Sequence, residues 1–376
     1  MKKKDLLPPG FRDDLSPVTE NEHFFTNKII SIFNSNGYQI IKPPMIEFLS
    51  DDEDDKNFFV IVNENGEQTL KVRNDITMQV ARIASSRLAN EKRPLRLCYY
   101  GEVIRQEGNV LRPERQFLQV GAECIGEKNY LADAEILILA FESLKSVGIK
   151  NISIDFSNPI FINYIKNSDL KYQSKKNEFL KYLQRKDTDK ALSYIKNLKK
   201  IDYIKTLIDS AGNISENINI LNKLKKNREL SKEITILIKI KKILKNRFEE
   251  IEFNVDFTEN RYQTYYTGLN FTIYAKDVRG EIAKGGRYKT GSAKGESATG
   301  FACYMDSIVR ASSSILKQKR VMVPFDISEK KINLLVKRKF TIERSFYSKG
   351  QLLKIAKQKK CSHIFINNKI KMINYD

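Results

Sequence analysis

The chain predicts an α+β fold: an antiparallel sheet flanked by helices, with a helical insertion and a small α/β segment at its C-terminal end. Three observations carry this. Residues 99–126 (YYGEVIRQEGNVLRPERQFLQVGAECIG) have strand composition in their outer segments and Gly108, Asn109 and Pro113 at their centre, which reads as two antiparallel strands joined by a long arginine-rich loop. Strand character returns after residue 251, in FNVDF, YYTGLNFTIYA and EIAKGGRY. Between these parts, residues 161–250 are lysine-rich and helical in pattern, without turn and strand punctuation.

Taken in order, residues 6–17 (LLPPGFRDDLSP) are turn-rich, and a helical pattern runs from about residue 16 to 36 and ends at Gly37. Residues 38–48 (YQIIKPPMIEF) read as a short strand broken by Pro43 and Pro44. The run DDEDD at 51–55 reads as a solvated acidic loop and not a metal site, because carboxylates in an unbroken run rarely converge. Residues 58–62 and 69–72 look like paired strands around a turn at Asn65 and Gly66. Asp75 precedes a helical run through Leu88, where its ordinary task is to cap, with Thr77 in the first turn. Residues 131–147 form an amphipathic helical pattern with Asp133 and Glu135 near its start and Gly148 as its stop, and 152–156 return as a strand. After the insertion, a glycine-rich passage leads to ATGFACYMDSIVR (298–310), a strand entering a helix. The last stretch offers a strand, a helix near 351–359 and a final strand CSHIFINN, too little for a complete doubly wound domain. The division that follows is a core of 1–160 plus 251–316, an insertion of 161–250 and a tail of 317–376.

With 376 residues, 41% of them hydrophobic, the chain can bury a full core. No apolar run approaches the ~20 residues of a membrane span, and no secretory signal is visible after MKKKDLLPPG, so a soluble cytoplasmic protein is expected. Cys98, Cys124, Cys303 and Cys361 lack CxxC spacing, which implies reduced thiols and no zinc site. The net charge of +20 is uneven: residues 161–250 carry +11 and residues 317–376 carry +12, while residues 1–160 carry −4. The excess reads first as solvated helix faces and second as a phosphate-binding surface.

Polarity singles out the second strand of the 99–126 stretch. Phe117, Gln119, Gly121 and Glu123 fall on one face, and Leu118, Val120, Ala122 and Cys124 on the other. A strand with an amide and a carboxylate on one side lines either water or a polar ligand, and Arg105 at the end of the first strand can share that space. For one strand alone the ordinary reading is a sheet with a wet face.

Together these pieces resemble the class II aminoacyl-tRNA synthetase core, and specifically its histidyl branch. LLPPGFRDDLSP is similar to that branch's N-terminal segment, VRNDIT to its Arg-Pro-(Glu/Asp)-x-Thr loop with Asn74 in place of proline, and VIRQEGNVLRPERQFLQVGAECIG to motif 2. RYQTYYTG resembles the histidine loop, and GGRY with TGFACYMDS resembles motif 3. The resemblance implies a histidine pocket in which Asp75, Thr77, Gln119 and Glu123 receive the α-ammonium and imidazole N–H groups, Tyr265 and Tyr266 wall the ring, and Arg105 and Arg261 meet a carboxylate or phosphate oxygen.

Motif 3 departs from the pattern: Tyr304 stands where a small glycine admits the nucleotide, and Ser307 where an arginine lies on the adenine and γ-phosphate. Loss of such a cation commonly removes ~3 kcal/mol or more of charge stabilisation. A core that keeps the amino-acid pocket and loses the nucleotide half resembles the regulatory subunits of ATP phosphoribosyltransferase, paralogues of histidyl-tRNA synthetase. That resemblance implies no catalysis of its own, no cofactor, L-histidine as effector, and a homodimer within a hetero-oligomer with the short-form catalytic subunit; neither membrane nor tRNA is implied. The rival readings are a divergent histidyl-tRNA synthetase and a nucleic-acid-binding protein.

Overall fold

The computed structural model describes residues 6–49, 57–62, 64–66, 68–166, 173–197, 200–259, 265–291, 295–313 and 319–375. The acidic run at 51–55 and Arg261 lie outside the described residues. The chain forms two compact units, Met1–Ser314 and Ile315–Asp376.

In the first unit, α1 (Val18–Ser35) buries Phe25, Ile29, Ile30 and Phe33, the one-face spacing that the sequence pattern implies, and the chain turns out of it at Gly37 with φ +84°. The short strands β1 (Gln39–Ile40) and β2 (Ile46–Phe48) flank Pro43 and Pro44. β3 (Val60–Val62) and β4 (Gln68–Val72) pair antiparallel as expected, and β2 joins them in a small sheet. α2 (Thr77–Ser85) follows, then the long pair β5 (Leu95–Ile104) and β6 (Gln116–Ile125), in register over their full length from Leu95 opposite Ile125 to Ile104 opposite Gln116. α3 (Tyr130–Ser146) starts where the side chain of Asn129 accepts the Leu131 N–H at 3.0 Å. β7 (Ile152–Ser157) leads into the insertion, which holds α4 (Ile160–Lys166), α5 (Lys176–Gln184), α6 (Thr188–Ser193), α7 (Ile201–Asp209), the two-residue β8 (Gly212–Asn213), α8 (Ile218–Leu224) and α9 (Arg228–Lys245). The chain then returns through β9 (Glu252–Val255), β10 (Tyr266–Ala275), β11 (Ala283–Lys289), β12 (Ser297–Tyr304) and α10 (Met305–Ala311).

Among the described residues, nine strands make one sheet in the order β1-β5-β6-β12-β11-β10-β7-β9-β8. All pairs from β5 to β7 are antiparallel, β1 and β9 are added in parallel at either end, and β8 closes the β9 side as a short antiparallel edge. One face carries Cys98, Val120, Ala122, Phe301, Ile154 and Phe156 in a single cluster with α1, α3 and the insertion helices. Phe161 of α4 and Phe257 stack with ring centroids 3.8 Å apart, so the insertion shares the core of the sheet. The opposite face carries Leu97, Tyr99, Phe117, Tyr288 and Tyr304, packed with Ile76, Val80, Ala81 and Ala84 of the α2 region. Both faces of β6 are therefore covered, and the wet face expected of an isolated strand is absent: Gln119 and Glu123 are buried. The four cysteines are free and buried. No described helix is long and apolar enough to cross a membrane.

The second unit contains more regular structure than its sequence suggests. β13 (Lys319–Pro324), α11 (Glu329–Lys337), β14 (Phe340–Ser345), α12 (Leu352–Gln358), β15 (His363–Ile366) and β16 (Lys369–Met372) form a four-stranded sheet of order β14-β13-β15-β16, with β13 parallel to both neighbours. α11 escapes the sequence reading because only Ile332 and Leu335 of its nine residues are buried, an apolar stripe too narrow to stand out among lysines.

Candidate functional site

Register fixes which side chains meet. On the face of β6 that carries Gln119, Gly121 and Glu123, the cross-strand partners in β5 are Gly101, Tyr99 and Leu97, and those in β12 are Tyr304, Ala302 and Gly300. Each polar residue therefore has a glycine opposite it on one side, Gly101 for Gln119 and Gly300 for Glu123. A Cβ on Gly300 would overlap the Glu123 carboxylate, and one on Gly121 would overlap the Tyr99 hydroxyl.

Glu123 is 1% exposed. Its Oε2 accepts the Tyr288 hydroxyl at 2.9 Å, while its buried Oε1 accepts no hydrogen bond of ordinary geometry among the described residues. Burial drives this carboxyl well above its ordinary range, the Tyr288 hydroxyl offsets part of the rise, and the negative charge of Asp75 adds to it. Gln119, fully buried, accepts the Ile76 N–H at 2.9 Å and donates from Nε2 to Oδ2 of Asp75 at 2.7 Å. The other oxygen of Asp75 accepts the Thr77 N–H at 2.7 Å. Ile76 holds the cap position of α2, so Asp75 does its capping one residue earlier and keeps Oδ2 for the site. The Thr77 and Tyr99 hydroxyls are 3.1 Å apart. Asp75, Thr77 and Gln119 thus form one hydrogen-bonded group with Tyr99, and Glu123 with Tyr288 lies against it, its carboxyl held down in part by the Thr77 and Tyr99 hydroxyls.

Tyr265 closes that group. Its ring stacks on Tyr288 with centroids 5.1 Å apart and meets Tyr266 edge-on at 4.9 Å. Its hydroxyl is buried and has no hydrogen-bond partner among the described residues, and burial with the nearby Glu123 pushes the phenol well above its usual value. A buried donor and a buried acceptor left unmade cost about 1–3 kcal/mol each. The same two groups recover that cost when a ligand N–H reaches Glu123 and a ligand nitrogen reaches Tyr265. The arrangement thus suits a compact cation with several N–H groups and an aromatic ring.

Arg105 stands at the other end of the strand face, its guanidinium 4.9 Å from the Phe117 ring and 5.8 Å from Tyr304. Arg112, which the sequence reading did not single out, covers Tyr304 at 3.9 Å and Phe117 at 4.4 Å and bonds Asp306 at 2.8 Å while 2% exposed. Tyr304 meets Phe117 edge-on at 5.5 Å. The rings of Tyr304 and Phe117 and the guanidiniums of Arg105 and Arg112 thus pack as one cluster, with Ser307 buried nearby on α10 and bonded by Arg310 at 3.1 Å. The remaining arginine of this region, Arg287 of GGRY, is structural: it grips both carboxylate oxygens of Asp133 at 2.9–3.1 Å and the carbonyls of Glu127 and Asn129, fastening the start of α3 to β11.

The residues missed beforehand had visible signals. Tyr288 ends GGRY, Arg112 opens RPERQF, and Tyr99 sits two residues before Gly101 on the same strand face. Their roles depend on cross-strand register, which a single strand does not display.

A class II synthetase-like core of the histidyl type is the class of protein that this sheet and pocket define. The family described as Histidyl-tRNA synthetase matches residues 10–308. A relative from Rhodospirillum centenum named ATP phosphoribosyltransferase regulatory subunit is 35% identical over 325 residues, covering 85% of this chain and 83% of its own. The chain belongs to this family of regulatory subunits. Among solved structures, an ATP phosphoribosyltransferase regulatory subunit/histidyl-tRNA synthetase from Bacillus halodurans C has a TM-score of 0.76 at 20% identity, covering 95% of this chain and 97% of its own. The ATP phosphoribosyl transferase (HisG:HisZ) complex from Thermotoga maritima contains a chain with a TM-score of 0.57 at 18% identity, covering 76% of this chain and 97% of its own.

Proposed function

We propose that the chain is a non-catalytic regulatory subunit of ATP phosphoribosyltransferase, acting in the first step of histidine biosynthesis with L-histidine as its effector. Asp75, Thr77, Gln119 and Glu123 receive the ammonium and imidazole N–H groups; Tyr265 and Tyr266 wall the ring; Arg105 meets the ligand's carboxylate, joined by Arg261, which lies outside the described residues. The observation that carries this reading is a buried Glu123 Oε1 and a buried Tyr265 hydroxyl that both lack a hydrogen-bond partner among the described residues. A cationic ligand returns the Glu123 carboxyl to its charged form and satisfies both.

The partner is the short-form catalytic subunit, and the chain acts as a homodimer within that hetero-oligomer in the cytoplasm. Support for the partner comes from the names of the relatives and from the Thermotoga maritima complex. The reading of no adenylation is supported by Tyr304, which stands where the family has a small glycine and packs against Phe117 and Arg112, and by Ser307 in place of an arginine. Histidine must prefer one state of the assembly to act as a feedback signal, and assembly then changes histidine affinity by the same factor.

Co-purification with a short-form phosphoribosyltransferase tests the reading. The expected result is a stable complex whose phosphoribosyl transfer is inhibited by histidine, with inhibition lost in Glu123→Gln. A chain that forms no complex and instead supports histidine-dependent pyrophosphate exchange with ATP is a synthetase.

A further inference from the structure

The cations of the insertion are not spread evenly. Lys225, Lys226, Arg228, Lys232 and Lys239 line a single cleft of about 700 Å3, with Tyr130, Ser231, Thr235 and Ile236 completing its walls. Lys225 caps the C-terminal end of α8, and Arg228, Lys232 and Lys239 stand on one stripe of α9. Tyr130, the first residue of α3, forms the far wall with its ring 5.5 Å from Nζ of Lys239.

Two features separate this cleft from an ordinary solvated helix face. Among the described residues, none of its five cations has an ion-pair partner and no carboxylate lines the cleft. Elsewhere some surface cations are paired, as Lys145 with Glu250 at 2.6 Å and Arg247 with Glu142 at 2.8 Å. Glu233 of α9 instead accepts the side-chain N–H of Asn158, at 2.9 Å, on another side of the helix. The cleft also receives the start of α9, an 18-residue helix whose first-turn N–H groups and dipole add positive potential where Arg228 and Ser231 stand. Like charges concentrated in one concavity repel one another and are stabilised when an anion of high charge density enters.

We propose that this cleft binds a phosphate-dense small molecule of nucleotide size, its phosphates against the lysines and the start of α9 and its ring against Tyr130. The volume is that of a site for one small ligand. Tyr130 supplies a flat apolar wall that a bare phosphate patch does not need. The site lies in the insertion and stands or falls independently of the histidine pocket.

Isothermal titration of the intact protein with sodium tripolyphosphate, with ATP and with single-stranded oligonucleotides, at a constant ionic strength of about 0.15 M, tests this. The expected result is saturable one-to-one binding of tripolyphosphate and ATP. The double variant Lys232→Gln/Lys239→Gln weakens both by roughly tenfold or more, as loss of charge-assisted hydrogen bonds requires. Tyr130→Ala weakens ATP more than tripolyphosphate. Lys232 and Lys239 are exposed, so the melting temperature of the double variant should match that of the parent and exclude misfolding. Binding that is not saturable, binding left intact by the double variant, or oligonucleotide affinity that exceeds that of ATP and grows with oligonucleotide length would overturn the proposal.

Discussion

The hydroxyl of Tyr288 donates to Oε2 of Glu123 at 2.9 Å, joining β11 to β6 across the intervening strand β12. The bond spans that gap because the residue of β12 opposite Glu123 is Gly300. The first three expectations below test this buried carboxyl and the residues packed near it, and the fourth concerns a second buried carboxyl on α1.

Glu123 should impose a pH dependence on stability. Its folded pKa lies above its unfolded one, so the folded chain holds this proton more tightly. Its contribution is fully present below the ordinary carboxyl range and is lost as pH rises from there toward the folded value. Thermal melting of Glu123→Gln between about pH 4 and 7 should therefore show a smaller decline than that of the parent chain. A parallel decline in both proteins would mean that the carboxyl is not titrating in this way.

Gly300→Ala should destabilise the chain by about 1–3 kcal/mol, because the added methyl group meets the Glu123 carboxylate and overpacks a buried site. Gly121→Ala should behave similarly through Tyr99, whereas Gly350→Ala, with open space around its Cβ position, should cost little. Chemical denaturation of the three variants gives the comparison; equal stabilities would show that the pocket floor tolerates side chains.

Tyr304→Ala should cost about 3–5 kcal/mol, since it removes a buried ring packed edge-on against Phe117 and beneath Arg112. Tyr304→Phe keeps the ring contacts and should cost less than about 1 kcal/mol. Neither variant should gain histidine-dependent pyrophosphate exchange, because Ser307 still leaves the triphosphate position without its arginine. Exchange activity in Tyr304→Ala would show that the ring alone blocks adenylation.

Glu22 of α1 supplies a second pH response. Burial, with Glu102, Asp14 and Asp306 nearby, raises its carboxyl to about 7, against a smaller opposing effect from Arg12. By the same sign, stability contributed at acidic pH is lost as pH climbs from the ordinary carboxyl range to about 7. Glu22→Gln should flatten the melting temperature over that interval, and its curve superimposing on that of the parent would exclude the effect.

Much of the fold was legible beforehand because it rests on local patterns. The alternation in β6, the Asn65-Gly66 turn and the helix ended by Gly148 each appear in the structure where the sequence puts them. What the sequence hid depends on neighbours distant in the chain. Arg96 pairs with Glu135 at 2.7 Å, Arg112 with Asp306 and Tyr288 with Glu123, and no short window contains both members of any of these pairs. The wet face expected on β6 failed for the same reason: alternation reports that a strand has a polar side, but the α2 region and Tyr265 arrive from elsewhere to cover it. The tail was under-read because its lysine-rich helix buries so little.

The most direct measurement is calorimetric titration of the intact protein with L-histidine, alongside Glu123→Gln and Tyr265→Phe. The account predicts saturable binding, with proton release at pH values where the Glu123 carboxyl is protonated in the free protein, and weaker binding in each variant. Histidine binding of equal affinity in all three proteins, or none in the parent chain, would contradict it.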